Sequence, residues 1–349
     1  MNSIHLSIVS AAQGGLSLNS CRITRMETNG IIVCRPQGGL NDMFCQIYKC
    51  LRYAIRYNRL VLVDTETNPK FLEPLSFYFT SLSPHLKFID RGEANKILRD
   101  SGSAVRSNIP WDYEAVWDTG SHSFIEKMSQ KTLTFDFRRT HSEKVLIHHQ
   151  AGGGLDSARL LLLMSLTPHL MDVLTNRLAA FPKEYVAAHV RYSDYESDYM
   201  NLLPNTLSKK RNMLFLSTDN DQVIEWLKVN LPWVQTVDYQ KSKNRNIEAL
   251  CDLFMLANAR TIIPVPLVNN EVAFSGYSRL ASLIWASLRP SLLKTDVSQL
   301  GLVLRAIGGV RNPVMSILRM VAFSPLVFQS RLSRFGVIAE MRGLIRKGF

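Results

Sequence analysis

The sequence lacks any apolar stretch long enough to cross a membrane. No uninterrupted run of apolar residues exceeds five, whereas a transmembrane helix needs roughly 20. The first 30 residues also lack the basic start and the apolar core of about 7–15 residues that mark a secretory signal. We therefore predict neither a membrane-spanning segment nor a signal peptide.

Cysteine is scarce, and its spacing shows no pairing pattern. The five cysteines are odd in number and none lies in a Cys-x-x-Cys pair: Cys21, Cys34, Cys45, Cys50 and Cys251. This pattern argues against a disulfide framework and against a zinc site. We expect no metal and no cofactor, and a reducing, cytoplasmic setting.

Acidic residues are nearly missing from the C-terminal tail. Residues 301–349 hold eight basic residues and one acid, Glu340, so this segment has a net charge of +7 in a chain of +12. Pro313 and Pro325 separate segments that can form basic amphipathic helices. Such helices lie on anionic membrane surfaces, and we predict this role for residues 291–349. The alternative is packing on the core.

The segment from Ile31 to Thr65 has the pattern of a β-α-β unit. The short β-branched run "IIVCR" predicts a buried strand, and "RLVLVDT" predicts a second one. Between them, apolar residues recur at helical spacing: Met43, Phe44, Ile47, Tyr48, Leu51 and Ile55. We expect a parallel strand pair, with Asn41 or Asp42 capping the helix.

The turn "PQGGLND" joins this first strand to the helix. Gly38 and Gly39 allow the backbone to approach a phosphate, and the helix N-terminus attracts negative charge. The alternative is a tight turn that serves packing alone.

A second series of strands and helices follows, so we predict an α/β protein with two Rossmann-like domains. We place the domains at 26–170 and 171–290. Residues 1–25 are predicted to be disordered or to result from a start codon assigned upstream of Met26. Residues 158–180 are predicted to be helical with an interruption at Pro168. The Pro- and aromatic-rich segments "NPKFLEPLSFYF" and "VRSNIPWDYEAVWDTGSHSF" are predicted to be loops lining a cleft.

The segment "AAHVRYSDYESDY" places polar side chains at the end of a predicted strand, where α/β proteins bind ligands. Arg191 can clamp a diphosphate in a bidentate manner, and Asp194 can orient it. Glu196 and Asp198 are nearby acids that could act as a general base. The alternative is a surface Arg–Asp pair in a solvated acidic loop.

Three further residues follow strands or lie on predicted helices. Asp219 ends the strand "LFLSTD", where it can bind a ribose hydroxyl or cap the next helix. Asp252 lies on an otherwise apolar helix, either solvated or buried to meet a polar ligand. Ser275 and Gly276 precede another helix and form a second candidate phosphate site.

Taken in order, the motifs GGL-N, HxRxxD-Y, F-x-x-TD, and DL-x-x-L followed by SG-x-SRLA resemble those of the fucosyltransferase superfamily. This group includes α1,2-, α1,6- and protein O-fucosyltransferases, and the resemblance covers roughly residues 30–288. It implies a GT-B enzyme whose two Rossmann-like domains face a central cleft. It also implies inverting, metal-independent transfer of fucose from GDP-fucose to a glycan, in surface polysaccharide or glycoconjugate synthesis.

The resemblance also assigns roles to individual residues. Gly39 would approach the diphosphate, Arg191 would bind the β-phosphate, and Ser275 would contact phosphate. His189 and Asp252 would meet the guanine, and Asp219 would help to hold the nucleoside. Tyr192 stands where the α1,2 and α1,6 enzymes have a second arginine, so another nucleotide sugar is an alternative donor.

Two other classes of protein fit the sequence less well. A dinucleotide-dependent Rossmann enzyme would have a G-x-G-x-x-G turn, which "GGLNDM" does not match, although Asp64 ends the second strand. A nucleic-acid-binding protein would have a basic, aromatic-rich stripe on its core, and here the positive charge is concentrated in the tail. We therefore expect a nucleotide-sugar donor, a glycan or lipid-linked glycan acceptor and no nucleic acid.

Overall fold

The fold was established from a computed structural model. It describes residues 28–71, 73–100, 113–118, 121–126, 134–182, 184–192, 195–207, 212–236, 243–268, 274–288 and 340–341.

Strands and helices alternate along the described chain. The strands, β1 to β12 in chain order, span Ile31–Cys34, Leu60–Val63, Phe79–Ser81, Leu86–Phe88, Tyr113–Asp118, Ser121–Glu126, Val145–His148, Met164–Leu166, Val186–Val190, Asn212–Thr218, Val234–Thr236 and Thr261–Pro264. The helices, α1 to α8, span Leu40–Tyr57, Arg91–Asp100, Ser157–Leu160, Pro168–Ala179, Tyr199–Thr206, Asp221–Asn230, Arg245–Asn258 and Gly276–Leu288. None of these described helices is long and apolar enough to span a bilayer.

Two four-stranded parallel sheets organise the chain. The first has the strand order β4-β2-β1-β7, and the second has the order β11-β10-β9-β12. Their central strands are buried because they consist mainly of small and β-branched apolar residues, as in "IIVC" and "VAAHV". Parallel neighbours with helical crossovers define Rossmann-like units, so the predicted α/β class with two such units is confirmed.

Helix α1 connects the first two strands and begins one residue before the predicted caps. Gly39 occupies the N-cap position, while Asn41 and Asp42 lie within the first turn. The capping prediction is therefore wrong, because the turn glycine itself supplies the extended cap conformation. Asp42, at the third position of the helix, contributes to capping through its side chain, because its Oδ2 accepts a hydrogen bond of 3.4 Å from the Gly39 N–H. At the other end, Asn58 closes the helix in the left-handed conformation.

Two segments differ from the predicted secondary structure. Part of the predicted loop at 105–124 is strand, because β5 and β6 form an antiparallel pair. The alternating β-prone residues of "YEAVWD" and "SHSFIE" carry this signal, which the surrounding turn formers obscure. Within the predicted helix at 158–180, Met164–Leu166 forms β8 and pairs with β3. A tertiary partner strand thus overrides local helical spacing.

The tail is described at two residues, Glu340 and Met341. Met341 is fully buried in the hydrophobic core, and Glu340 accepts a hydrogen bond of 2.9 Å from the backbone N–H of Leu166. At this point the tail packs on the core. The rest of the predicted membrane-binding segment lies outside the described residues, as do residues 1–25, so both predictions remain open.

A partly buried carboxylate joins the two halves of the chain. Glu73, from the loop after β2, accepts hydrogen bonds of 2.6 Å from Tyr78 Oη and 2.6 Å from Asn244 Nδ2. Asn246 Nδ2 also donates to this carboxylate. Asn244 additionally caps α7, accepting from two backbone N–H groups of its first turn. Glu73 therefore couples the start of α7 to the first half of the chain.

Replacing this carboxylate should destabilise the whole protein. We expect Glu73→Ala to lower the free energy of unfolding by about 2–4 kcal/mol, because three donors lose their acceptor. Glu93→Ala is the matched control, since Glu93 pairs with Lys87 on the surface and such pairs contribute at most about 1 kcal/mol. Urea denaturation of both variants measures the difference. Equal effects in the two variants would contradict the coupling role.

Candidate functional site

A cleft of about 300 Å³ lies between the two halves of the chain that carry the sheets. Gly38 follows β1 of the first sheet and Arg191 directly follows β9 of the second, so both carboxyl strand ends open onto it. Its lining residues are Gly38, Gly39, Leu40, Asn41, Asp42, Lys70, Arg191, Tyr195, Leu267, Phe274, Ser275, Gly276, Tyr277 and Arg279. Ligands bind at such strand ends in α/β proteins, which makes this cleft the candidate site.

The glycine turn forms one wall of the cleft. Gly38 has a φ of +88°, and a Cβ placed there would lie 2.7 Å from Asp42 Oδ2, so a side chain is excluded at this position. A Cβ on Gly39 would meet no atom within 4 Å. The backbone at Gly39 therefore faces open space, as the predicted approach to a phosphate requires.

Asn41 lines the cleft, and the nitrogen of its side-chain amide is not hydrogen-bonded within the described chain. The side chain is 2% exposed, and its Oδ1 accepts a hydrogen bond of 2.7 Å from Ser157 Oγ. Its Nδ2 has no partner among the described residues. Buried donors are rarely left unpaired, so this amide is suited to donate to a ligand in the cleft.

Arg191 is held in the second wall by its own loop. The Ser197 hydroxyl donates to the Arg191 carbonyl, and the guanidinium lies 5.5 Å from the centre of the Tyr195 ring. The segment around Ser197 pairs with Leu267, which also lines the cleft. These contacts fix the loop that carries the predicted diphosphate-binding arginine.

The two acids predicted as bases do not line the cleft. Glu196 is exposed, and Asp198 accepts a hydrogen bond of 2.7 Å from Asn201 Nδ2 at the start of α5. The acid in the lining is Asp42. Burial raises the pKa of Asp42, while its bond from Gly39 and the charge of Arg279 oppose the rise. The chain thus presents Asp42 where the sequence suggested Glu196 or Asp198.

Ser275 and His189 form a hydrogen-bonded group at the start of α8. Ser275 Oγ accepts from the Ser278 N–H at 3.1 Å, which caps the helix. His189 Nδ1 lies 2.7 Å from Ser278 Oγ and 3.4 Å from Ser275 Oγ. Burial, with a smaller effect of Arg191, lowers the pKa of His189 to about 4. A neutral His189 therefore supports Ser275 from behind the cleft wall.

Asp219 acts on the backbone next to Arg191. Its Oδ1 accepts a hydrogen bond of 2.8 Å from the Tyr192 N–H, which links the ends of β9 and β10. The predicted partner Asp194 lies outside the described residues. The nucleoside contact of Asp219 stays a prediction.

Asp252 belongs to a partly buried ionic network. It accepts a hydrogen bond of 2.9 Å from Ser217 Oγ and lies 3.5 Å from the guanidinium of Arg177. Arg177 is 4% exposed and also pairs with Glu248 at 2.6 Å. The sequence left open whether Asp252 is solvated or buried to meet a ligand. In the structure it is a partly buried acid on α7 that is paired with Arg177 and Ser217. Its guanine contact stays a prediction.

The sequence did not single out two of the cations in the cleft, Lys70 and Arg279. Arg279 follows Ser275 by four residues, so its helical spacing could have revealed it. Lys70 comes from a loop distant in sequence, and no local pattern points to it. Arg279 Nε is buried without a hydrogen-bond partner in the described part of the chain.

The cleft has the electrostatic character of an anion site. Among the described lining residues, Lys70, Arg191 and Arg279 face it together with the N-termini of α1 and α8, and one carboxylate, that of Asp42, accompanies them. Helix N-termini and arginines together bind phosphate groups well. Among the described residues, no group of three or more His, Cys, Asp or Glu is placed to hold a metal ion.

Comparisons with known proteins gave similarity at the level of structure. No protein-family model and no curated protein matches the sequence. The chain is similar to the fucosyltransferase NodZ from Bradyrhizobium, with 17% identity and a TM-score of 0.47 over 72% of this chain and 92% of NodZ. It is also similar to POFUT1 in complex with GDP-fucose, with 12% identity and a TM-score of 0.44 over 73% and 94% of the two chains.

The partly buried His189 should make stability fall in mild acid. Its folded pKa of about 4 is below the roughly 6.5 of an unfolded histidine. Above about pH 6.5 both states are neutral, whereas below it the unfolded chain binds the proton first, which costs about 1.4 kcal/mol per pH unit. We expect His189→Asn to lose less stability than the wild type between about pH 6.5 and 4. The free energy of unfolding of both proteins is measured by urea denaturation at each pH. The same dependence on pH in the two proteins would contradict the lowered pKa of His189.

Proposed function

We propose that the chain is a glycosyltransferase that transfers fucose from GDP-fucose to a glycan acceptor, with inversion and without a metal ion. The observation that carries this proposal is the convergence of three cations and two helix N-termini on one cleft between two Rossmann-like units. The motifs of the fucosyltransferase superfamily fall on the same cleft, at Gly39, Arg191 and Ser275.

The proposed chemistry requires stabilisation of a leaving diphosphate. Negative charge builds on the β-phosphate as the glycosidic bond breaks, and preorganised donors lower the energy of that transition state. Arg191 supplies a bidentate donor, Arg279 supplies a second cation and the Asn41 amide supplies a buried N–H. Protein cations thereby take the place that a metal ion has in other transferases.

The nucleoside is proposed to lie along the second domain, beyond the phosphates. His189 lies in β9, which Arg191 directly follows, and Asp219 directly follows β10. Asp252 lies on α7 and accepts a hydrogen bond from Ser217 of β10. Asp252 would accept from the guanine edge and Asp219 from the ribose. The resemblance of the sequence motifs to those of fucosyltransferases supports these roles. The thermal-shift experiment below distinguishes GDP-fucose from donors that carry another nucleotide.

Asp42 is proposed as the general base for the acceptor hydroxyl. It is the acid of the cleft lining, and burial raises its pKa towards the range in which a carboxylate accepts a proton effectively. Lys70 and Arg279 oppose this rise but do not cancel it, since burial is the largest cause.

The cellular setting is proposed to be the synthesis of a surface polysaccharide or glycoconjugate, in the cytoplasm at the inner face of the membrane. The net charge of +7 in residues 301–349 supports attraction to anionic lipid. A lipid-linked glycan acceptor would be concentrated at the same surface.

A thermal-shift panel of GDP, UDP, CMP and dTDP tests the donor class. We expect GDP to raise the melting temperature most, because a ligand of the folded state adds RT ln(1 + [L]/Kd) to stability.

Arg191→Lys should reduce this shift and abolish most turnover, since lysine cannot bind a diphosphate in a bidentate manner. Arg260→Lys is the control, because Arg260 pairs with Glu184 on the surface. A larger shift with UDP, or full activity of Arg191→Lys, would overturn the proposal.

The role of Asp42 is tested with the isosteric variant Asp42→Asn. We expect sugar transfer to fall by about 10²–10⁴-fold, as is usual when a general base is removed. The GDP-induced thermal shift should stay close to that of the wild type, because the amide oxygen can still accept from Gly39. Asp172→Asn, an exposed acid on α4, serves as the control. Transfer within about threefold of wild type would exclude Asp42 as the base.

A further inference from the structure

A second cavity of about 460 Å³ lies along the outer face of α1. The lining that matters for binding comes from this helix, from the glycines after β7 and from one aromatic ring: Gln46, Lys49, Arg52, Arg56, Phe137 and Gly153. We propose that this cavity binds an anionic sugar residue of the acceptor, carrying a carboxylate or a phosphate. The proposal rests on the proposed function, because it names the class of acceptor sugar that the proposed transferase would bind.

The charge of the cavity favours an anion. Lys49, Arg52 and Arg56 follow one another at spacings of three and four residues, which places them on one face of the helix. The acid among the described lining residues is Asp156, which leaves these residues with an excess of two positive charges. Asp156 lies 4.0 Å from Arg52, and both side chains are well exposed, so this pair neutralises little.

The cavity also has a firm wall and floor. Lys49 Nζ lies 4.3 Å from the centre of the Phe137 ring, so this ring packs against the ammonium group and holds it in the cavity wall. Gln46 Oε1 lies 2.8 Å from the buried His148 Nε2, and Gln46 Nε2 donates to the Gly152 carbonyl. Because both ends of this amide are engaged, its orientation in the cavity floor is fixed.

The two cavities are neighbours, separated by a single layer of residues. Gly153 lines the basic cavity, and a Cβ placed on it would overlap Asp42 and lie 2.8 Å from Asn41 Nδ2. Asn41 and Asp42 line the donor cleft on the other side. The proposed base and the basic face of α1 therefore belong to adjoining cavities, as an acceptor that spans both requires. A merely solvated basic helix face would bind no sugar.

Ligand-observed NMR on the full chain with saturating GDP tests the proposal, since GDP keeps the probes out of the donor cleft. The probes are glucuronate, glucose 1-phosphate, neutral glucose and inorganic phosphate. We expect one of the two anionic sugars to bind better than glucose and better than inorganic phosphate. Which of them binds distinguishes a carboxylate from a phosphate group on the acceptor.

The variant R52Q/R56Q should weaken binding of the anionic sugar at least tenfold and leave the GDP-induced thermal shift unchanged. The control R138Q/R139Q removes the same charge from exposed residues beside Phe137 and should bind like the wild type. Equal binding by R52Q/R56Q and wild type, equal loss in the control, or inorganic phosphate binding as tightly as the sugars would overturn the proposal. The GDP shift reports separately on the donor cleft, so failure of the proposed function is recognised independently.

Discussion

The contact between the N-termini of α1 and α8 is the constraint on which the rest of the structure depends. A Cβ on Gly276, the first residue of α8, would lie 3.2 Å from both the Cβ and the Nδ2 of Asn41. Glycine lets the two helices meet at this point, while Glu73 couples the halves of the chain elsewhere. Because each helix follows the carboxyl end of a strand, their contact directs both sheets towards one cleft. The cations of the cleft converge as a result.

The cleft brings several cations together within the folded protein. Among its described lining residues, Lys70, Arg191 and Arg279 share one small volume with the carboxylate of Asp42, and the Asn41 Nδ2 and Arg279 Nε are buried without partners in the described chain. Unpaired buried donors are unfavourable. The proposed anionic ligand would accept hydrogen bonds from these two nitrogens.

The first turn of α1 separates two spaces with different chemistry. On one side the cleft combines cations with helix N-termini, which suits a compact diphosphate. On the other side the cavity combines arginines with an aromatic ring, which suits a charged sugar. Gly153 keeps the partition one layer thick because any side chain there would overlap Asp42. The proposed donor and acceptor sites would then adjoin at Asp42 without sharing a pocket.

The sequence by itself determined the parallel sheets, the glycine turn and the strand-end Arg191, because these follow from local apolar periodicity and from residue types at strand ends. Helices α6, α7 and α8 were predictable for the same reason. Only the tertiary structure decided that Met164–Leu166 is a strand and that Asp42, rather than Glu196 or Asp198, lines the cleft. It also brought Lys70 and Arg279 together from segments about 200 residues apart. Such choices depend on which surfaces pack against each other, and long-range packing leaves no periodic signal in a single sequence.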